Sequence, residues 1–328
     1  MLIETLSEKI FDTPEMAATR DGFGKGSVEA GKADERVMVL TADLAESTRA
    51  EWFQKEFPNR FIEMGVAEQN MAVVASGLAN YGKIPYTTSY AAFNPGRNWE
   101  HIRTTIALTK LPVIVCGMHA GLQTGADGAT HQMLEDIALM RALPNVTVLS
   151  PCDAEEAKKA TAAAARVGGP VYIRFGREKT PVMTTSTTPF EIGTGIELWR
   201  GVAPQVALVS TGVLAYQTLL AAKQLETQGI SVVVANIHTI KPIDETLLEK
   251  LARECGAVVT VEEHQMTGGL GSAVAETLSR KYPVPQEYIA VQNRFGQSGK
   301  ASELFAEYGL TSERIVEATA RAISRKTI

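Results

Sequence analysis

The densest chemistry in this sequence lies in one glycine-rich stretch: Gly117-Met118-His119-Ala120-Gly121-Leu122-Gln123-Thr124-Gly125-Ala126-Asp127-Gly128-Ala129-Thr130-His131-Gln132. It holds two of the chain's five histidines and an aspartate wedged between small residues. Imidazoles move protons near neutral pH, carboxylates hold hydroxyls, and glycine lets the backbone close around a ligand. Too little of the stretch is apolar for it to be core. A tight turn with a helix N-cap would explain the glycines alone; two His, an Asp and a Thr on one short loop favour a site. Glu68 opens a run of small apolar residues, Met71 to Ala79, which places a carboxylate at a helix start with little water around it. A first-turn Glu serving the helix dipole is the plain alternative. Tyr90 and Phe93 stand three residues apart and could be ordinary core. Arg20, Asp43, Ser47 and Arg177 complete the polar candidates. Arg20 could be a solvated charge, and Asp43 could cap the helix that follows it.

The elements that must position these residues read as strands alternating with helices. Strands are expected over Arg36–Leu40, Arg60–Met64, Ile84–Ser89, Leu111–Cys116, Val146–Leu149 and Pro170–Phe175. A helix is expected from Thr13-Pro14-Glu15, with Thr as cap and Pro at the first position, to about Lys32. Its Gly22, Gly24 and Gly26 weaken it unless another backbone comes close. Others are expected over Gly65–Asn80, around Trp99, Ile102 and Ile106, over Met133–Leu143, and from Asp153-Ala154-Glu155-Glu156 to Val167. Ser47 and the His119 to His131 loop then fall at the carboxyl ends of strands, where open α/β sheets bind ligands, while Arg20 lies on the first helix. Pro181 to Thr188 is rich in Thr, Ser and Pro and reads as a linker. A second α/β pattern follows, with strands Val206–Val209, Ser231–Asn236, Ala257–Val261 and Tyr288–Val291 and helices near 213–228, 244–254 and 269–281. The fold class is therefore α/β, two doubly wound domains, each a mainly parallel sheet flanked by helices: residues 1–180, a linker over 181–190, and 191–328.

Length and composition agree. The chain has 328 residues, enough for roughly two domains, and its 45% hydrophobic and 21% charged residues suit a globular protein with a real core. A net charge of −5 without a basic block argues against nucleic acid. No apolar run approaches the ~18 residues of a membrane span, and no basic n-region with an apolar core opens the chain. The expected location is the cytoplasm. Cys116, Cys152 and Cys255 lack metal or disulfide spacing, and a buried free thiol is preferred for Cys116 and Cys255. His238 and His264 read as structural histidines. Gly268-Gly269-Leu270-Gly271 lacks the context of a dinucleotide site.

Four motifs, taken in order, carry a resemblance: Gly65-Val66-Ala67-Glu68-Gln69-Asn70-Met71, Tyr90-Ala91-Ala92-Phe93, Gly125-Ala126-Asp127-Gly128-Ala129-Thr130-His131-Gln132 and Arg174-Phe175-Gly176-Arg177. Together they resemble the pyrimidine-binding domain of thiamine-diphosphate enzymes of the transketolase family, and the second half resembles that family's C-terminal domain. The resemblance implies a C-terminal subunit of a split transketolase. Such an enzyme moves a two-carbon ketol unit from a ketose phosphate to an aldose phosphate through a thiamine-diphosphate enamine. It implies that Glu68 bonds the 1′ nitrogen of the aminopyrimidine, favouring the tautomer that removes the thiazolium proton. Tyr90 and Phe93 stack on that ring, and Asp43 joins the cofactor contacts. Asp127 holds a substrate hydroxyl, and His131 assists proton transfer. Arg20, Ser47, His119 and Arg177 grip the sugar phosphate, each charge-assisted bond contributing about 1.5–3 kcal/mol.

The family's diphosphate-binding domain carries a Gly-Asp-Gly motif and a later Asn, and no Gly-Asp-Gly occurs here. The resemblance therefore implies that Mg2+ or Ca2+ is held mainly by a partner, the N-terminal transketolase subunit, in a heterotetramer that also self-associates. No metal ligands are assigned to this chain. Gln69 after Glu68 departs from the His of many transketolases and is closer to 1-deoxy-D-xylulose-5-phosphate synthase. His119, and its spacing to Asp127, favour transketolase. A 2-oxo-acid dehydrogenase beta-type subunit shares the architecture but normally lacks the Asp-Gly-x-Thr-His pattern. A non-catalytic assembly subunit keeps the fold without the chemistry.

Overall fold

The computed structural model describes residues 1–327 and places the chain in two large sheets joined through a shared junction, with a small two-stranded sheet beside them. The first sheet has seven strands in the order Thr239–Lys241, Thr147–Leu149, Val171–Arg174, Ile114–Met118, Ile84–Tyr90, Val37–Thr41, Phe61–Glu63. All pair in parallel except Thr239–Lys241, which runs antiparallel to Thr147–Leu149. Central strands such as Ile114–Met118 are buried throughout, as parallel strands covered on both faces must be. One face packs Phe23, Ala30, Ala157 and Ala160 from the helices Thr19–Ala33 and Ala154–Ala164. The other packs Met71 and Ala75 of helix Glu68–Asn80, with Ile102, Ile106, Ile137 and Met140. Helices on both faces make the sheet doubly wound.

The second sheet has the order Gln286–Val291, Val258–Gln265, Val206–Ser210, Val232–Asn236, Ile196–Arg200, with only the last strand antiparallel. Its two faces are covered by separate clusters, one around Leu219, Val234 and Ile315, the other around Leu248, Val274 and Leu278. The expected α/β class and the predicted parallel strands are present. The edge strands Ile196–Arg200 and Thr239–Lys241 and the helices Ala301–Glu307 and Ser312–Ser324 were not anticipated. A three-residue strand leaves no periodic signal.

One local expectation is corrected. The first helix begins at Thr19, not after Thr13. Met16–Ala18 instead pairs antiparallel with Lys179–Pro181, and Asp21 accepts the Ala18 backbone N–H at 3.2 Å. Strand pairing took the segment that Thr-Pro-Glu marked as a helix start. The Thr-rich stretch after Pro181, read as a linker, is bound to the first domain along its backbone. The buried Asp153 carboxylate accepts the Met183 and Thr184 N–H groups at 2.7 and 2.6 Å, and Lys159 donates to the Thr188 carbonyl at 2.7 Å. Asp153 also caps its own helix by accepting Glu156 N–H, as its position in the sequence predicted.

Packing crosses the expected division of the chain in two places. Leu6 and Ile10 join the core of the second sheet, and Thr239–Lys241 extends the first. The three cysteines are free and buried. Among the described residues no helix is long and apolar enough to cross a membrane.

Candidate active site

Parallel alignment gathers the carboxyl ends of four neighbouring strands on one edge of the first sheet. Thr41 leads to Asp43 and Ser47, Tyr90 to Phe93, Met118 to His119, and Arg174 to Arg177. The helix Glu68–Asn80 starts beside them and packs on strand Ile84–Tyr90.

Glu68 is the first residue of that helix and only 1% exposed. Its Oε1 accepts a hydrogen bond from Ser89 Oγ at 2.9 Å. Its Oε2 accepts one from Arg97 Nη1 at 2.7 Å. Asn98 donates to the Glu68 carbonyl at 3.0 Å and so fixes the helix start. The Arg97 guanidinium carbon also lies 4.4 Å from the centre of the Phe93 ring, while the side chain remains 44% exposed. A flat, N–H-donating cation is thus bonded to a buried carboxylate and laid over an aromatic ring. Tyr90 and Phe93 run nearly parallel, with centroids 6.3 Å apart and planes 12° apart. His131 meets both rings edge-on, and His119 lies 4.3 Å from Tyr90. The two loop histidines and two aromatics therefore form one cluster, linked to Glu68 through Arg97.

His119 sits at φ 51°, a left-handed conformation rare for a non-glycine residue, at the point where the strand turns into the loop. Its Nε2 lies 3.1 Å from Arg20 Nη1 and 3.2 Å from the Ser47 carbonyl, which also accepts from Arg20 at 2.9 Å. Burial first, then the charges of Arg20 and Arg177, push its pKa down to about 3. The ring is neutral at working pH, able to accept or donate one hydrogen bond. His119 Nδ1 and Arg20 Nε are buried without a partner. Orphaned polar atoms at a strand's carboxyl end mark a place where a polar ligand can complete the bonding. Farther out, Arg177 Nη1 donates to Asp127 Oδ2 at 3.0 Å and to the Thr124 carbonyl at 2.8 Å, with both side chains 35% exposed.

Asp43 is the outlier among the predicted residues. It is exposed at φ 60°, and its backbone N–H donates to Glu63 at 2.8 Å. Among the described residues its carboxylate makes no hydrogen bond to the Glu68 cluster. Ser89 and Arg97 were missed. Two signals could have found them: Ser89 is polar within a strand buried almost throughout, and Arg97 follows Phe93 by one helical turn. His238 and His264 are buried away from this edge, His238 stacked on Phe190 at 4.4 Å. Among the described residues no three His, Cys, Asp or Glu side chains are grouped as metal ligands.

Residues 15–183 match the model of the transketolase pyrimidine-binding domain, and residues 197–315 that of the transketolase C-terminal domain. A Methanocaldococcus jannaschii protein provisionally named as a transketolase C-terminal section is 43% identical over 91% of this chain and 94% of its own length. A 6-deoxy-6-sulfo-D-fructose transketolase subunit of Clostridium sp. is 37% identical over 94% of this chain and 95% of its own. A solved structure described as a split-gene transketolase in an inactive β4 tetramer superposes with a TM-score of 0.88 at 44% identity, covering 94% of this chain and 99% of the other.

Proposed function

This chain belongs to the transketolase family as the C-terminal subunit of a split enzyme, and on that premise we propose that it supplies the pyrimidine half and the sugar grip of a ketol-transfer site. The observation that carries the reading is Arg97. Its guanidinium lies over Phe93 and donates to Glu68, so this one place accepts a flat, N–H-bearing group on an aromatic face against a buried carboxylate. An aminopyrimidine ring has that shape and those donors, so the residues present fit thiamine diphosphate. When bound, the cofactor supplies a thiazolium carbon that takes up and hands on a two-carbon unit.

This chain's residues do the rest. Glu68 shares a proton with a ring nitrogen, and its low exposure keeps water from competing for that bond. Ser89 keeps one carboxylate oxygen oriented while the other faces the ring. Phe93 and Tyr90 fix the ring plane. Arg97, half in solvent, swings outward to vacate the place. Neutral His119, together with His131, handles sugar hydroxyl and carbonyl oxygens, and Asp127 accepts from a hydroxyl. Arg20 and Arg177 grip the anionic end of the sugar, with Ser47 bridging Arg20 and His119. Asp43 contacts the cofactor only from the rim.

The proposal gives the diphosphate and its Mg2+ or Ca2+ to an N-terminal partner subunit, because hard cations need grouped oxygen ligands. Val66, Val73, Tyr81 and Leu108 are exposed on and around the helix that begins with Glu68, an apolar surface suited to subunit contact in a heterotetramer. Sugar phosphates, as in the pentose phosphate route, are the proposed donors and acceptors. The name of the Clostridium relative adds sulfonated sugars, whose anion Arg20 and Arg177 would also hold. The test is to purify this chain, titrate it with the N-terminal subunit, and assay ketol transfer from xylulose 5-phosphate and a panel of ketoses with thiamine diphosphate and Mg2+. Activity rising to a plateau at equimolar ratio is expected. Full activity from this chain alone, or none at any ratio with any donor, would overturn the reading.

A further inference from the structure

The loop that carries His119 and Asp127 is held from below by the other domain. Glu263 lies on strand Val258–Gln265 of the second sheet and is 2% exposed. Its Oε1 accepts the Gln123 backbone N–H at 2.9 Å, and its Oε2 accepts Gln123 Nε2 at 2.8 Å. The loop comes so close that a Cβ on Gly121, at φ 84°, would lie 2.3 Å from the same carboxylate. Glycine is required there on both counts. Arg174 balances the charge, with Nη1 3.6 Å from Glu263 and Nε 3.0 Å from Asp136.

From Gln123 the constraint passes outward in two directions. The Gln123 amide packs on Gly176, where any Cβ would overlap it, and this fixes the segment that ends in Arg177. The next residue, Thr124, donates its hydroxyl to the His119 carbonyl and accepts from Arg177 through its own. Arg177 in turn pairs with Asp127. Glu263 bonds none of these three residues, yet each is tied, directly or through Arg177, to Thr124, the neighbour of the residue that Glu263 grips with both oxygens. Two hydrogen bonds to one residue, made by a buried carboxylate, fix both position and orientation.

We propose that Glu263 is a positioning residue for the sugar grip, through which the C-terminal domain sets the geometry of His119, Asp127 and Arg177. The inference rests on the ketol-transfer reading for its substrate. The loop restraint itself does not depend on it. The bonds that hold Glu68 come from Ser89, Arg97 and Asn98, on other elements, so Glu263 acts chiefly on the donor sugar rather than on the cofactor.

The test is Glu263→Gln in the reconstituted complex, with Gln123→Met as a second variant that removes only the side-chain bond. Glu263→Gln is expected to raise the KM for xylulose 5-phosphate about tenfold, the loss of roughly one charge-assisted bond. The kcat should stay within about twofold, and thiamine-diphosphate affinity and Tm should hardly move. Gln123→Met should raise KM by a smaller factor in the same direction. The double variant Glu263→Gln with Gln123→Glu exchanges donor and acceptor and should restore most of the KM. In parallel, amide hydrogen exchange of the isolated chain should quicken over residues 121–127 in Glu263→Gln and slow again in the exchanged pair. A wild-type KM in Glu263→Gln, equal losses in KM, cofactor affinity and Tm, or unchanged exchange over the loop would each overturn the proposal. An inactive wild-type complex whose loop exchange still responds to Glu263→Gln would instead count against the ketol-transfer reading and leave the restraint supported.

Discussion

Glu68 concentrates the chemistry in one proton. In Glu68→Gln the amide oxygen can still accept from Ser89 or Arg97, so the fold should persist, but the side chain no longer takes up a proton. The kcat of the reconstituted complex should fall at least about hundredfold, the usual scale for losing a general acid–base group, while the circular-dichroism spectrum stays unchanged. Near wild-type turnover would show that the ring nitrogen finds its partner elsewhere. Arg20 and Arg177 make a different prediction, because each offers charge to an anion and neither touches Glu68. Arg20→Ala and Arg177→Ala should weaken phosphorylated donors by about tenfold or more and leave a non-phosphorylated donor such as hydroxypyruvate within about threefold. Equal losses for both donor types would make these arginines structural. Most of this cluster was legible as residue types and order: Glu68, the two aromatics, both loop histidines and the two arginines all meet at one sheet edge. Ser89 and Arg97 were not, because their importance lies in a bond made across thirty residues or fewer of fold, which spacing cannot show. Asp43 satisfied the positional rule for a strand-end aspartate, and its exposed side chain lies apart from the Glu68 cluster.

At the scale of elements, the helix Thr19–Ala33 shows why glycines were placed where helix propensity disfavours them. A Cβ on Gly22 would lie 2.2 Å from the Ala154 carbonyl, and one on Gly26 would lie 2.5 Å from the Lys158 carbonyl. The two helices touch backbone to backbone, which only glycine permits. Gly22→Ala would gain helix propensity yet overpack this contact, so a net destabilisation of about 1–3 kcal/mol is expected, read as a lower urea midpoint at unchanged slope. Because Arg20 rides on this helix, donor affinity should fall with it. A stabilised variant would mean that the helices separate freely and that the glycines serve something else. The alternation of strands and helices was readable because long periodic runs outweigh local exceptions. The start of this helix was misread because strand pairing with Lys179–Pro181 outweighed the Thr-Pro-Glu signal. Composition marks the Thr-rich segment as a linker but does not reveal that Asp153 and Lys159 bind its backbone.

For the molecule as a whole, two α/β units were visible in the sequence, but the way they lock together was not. The lock is long-range: Thr239–Lys241 crosses to the first sheet, and the Ser150 N–H donates to the His238 carbonyl at 2.8 Å. His238 is buried at this junction, stacked on Phe190, with Nδ1 2.9 Å from Thr239 Oγ1. Burial lowers its pKa to about 4, against a weaker upward pull from Asp244. A histidine whose folded pKa lies below its unfolded one, near 6.5, contributes stability that is fully present above pH 6.5. That stability is lost as pH falls through 4, since the unfolded chain takes up the proton first. His264, also lowered to about 4, and His119, lowered to about 3, act with the same sign. Glu262, raised to about 7 by burial, acts oppositely: its contribution is present below about pH 4.5 and fades as pH rises through 7. A single-site comparison isolates the junction from these other groups. His238→Phe keeps a ring against Phe190 and cannot take a proton. Relative to this variant, the wild-type chain should lose about 1 kcal/mol of stability per pH unit between pH 6.5 and 4, measured by urea unfolding at several pH values. Parallel stability curves for the two proteins would show that His238 titrates alike in both states and that the junction does not depend on its neutrality.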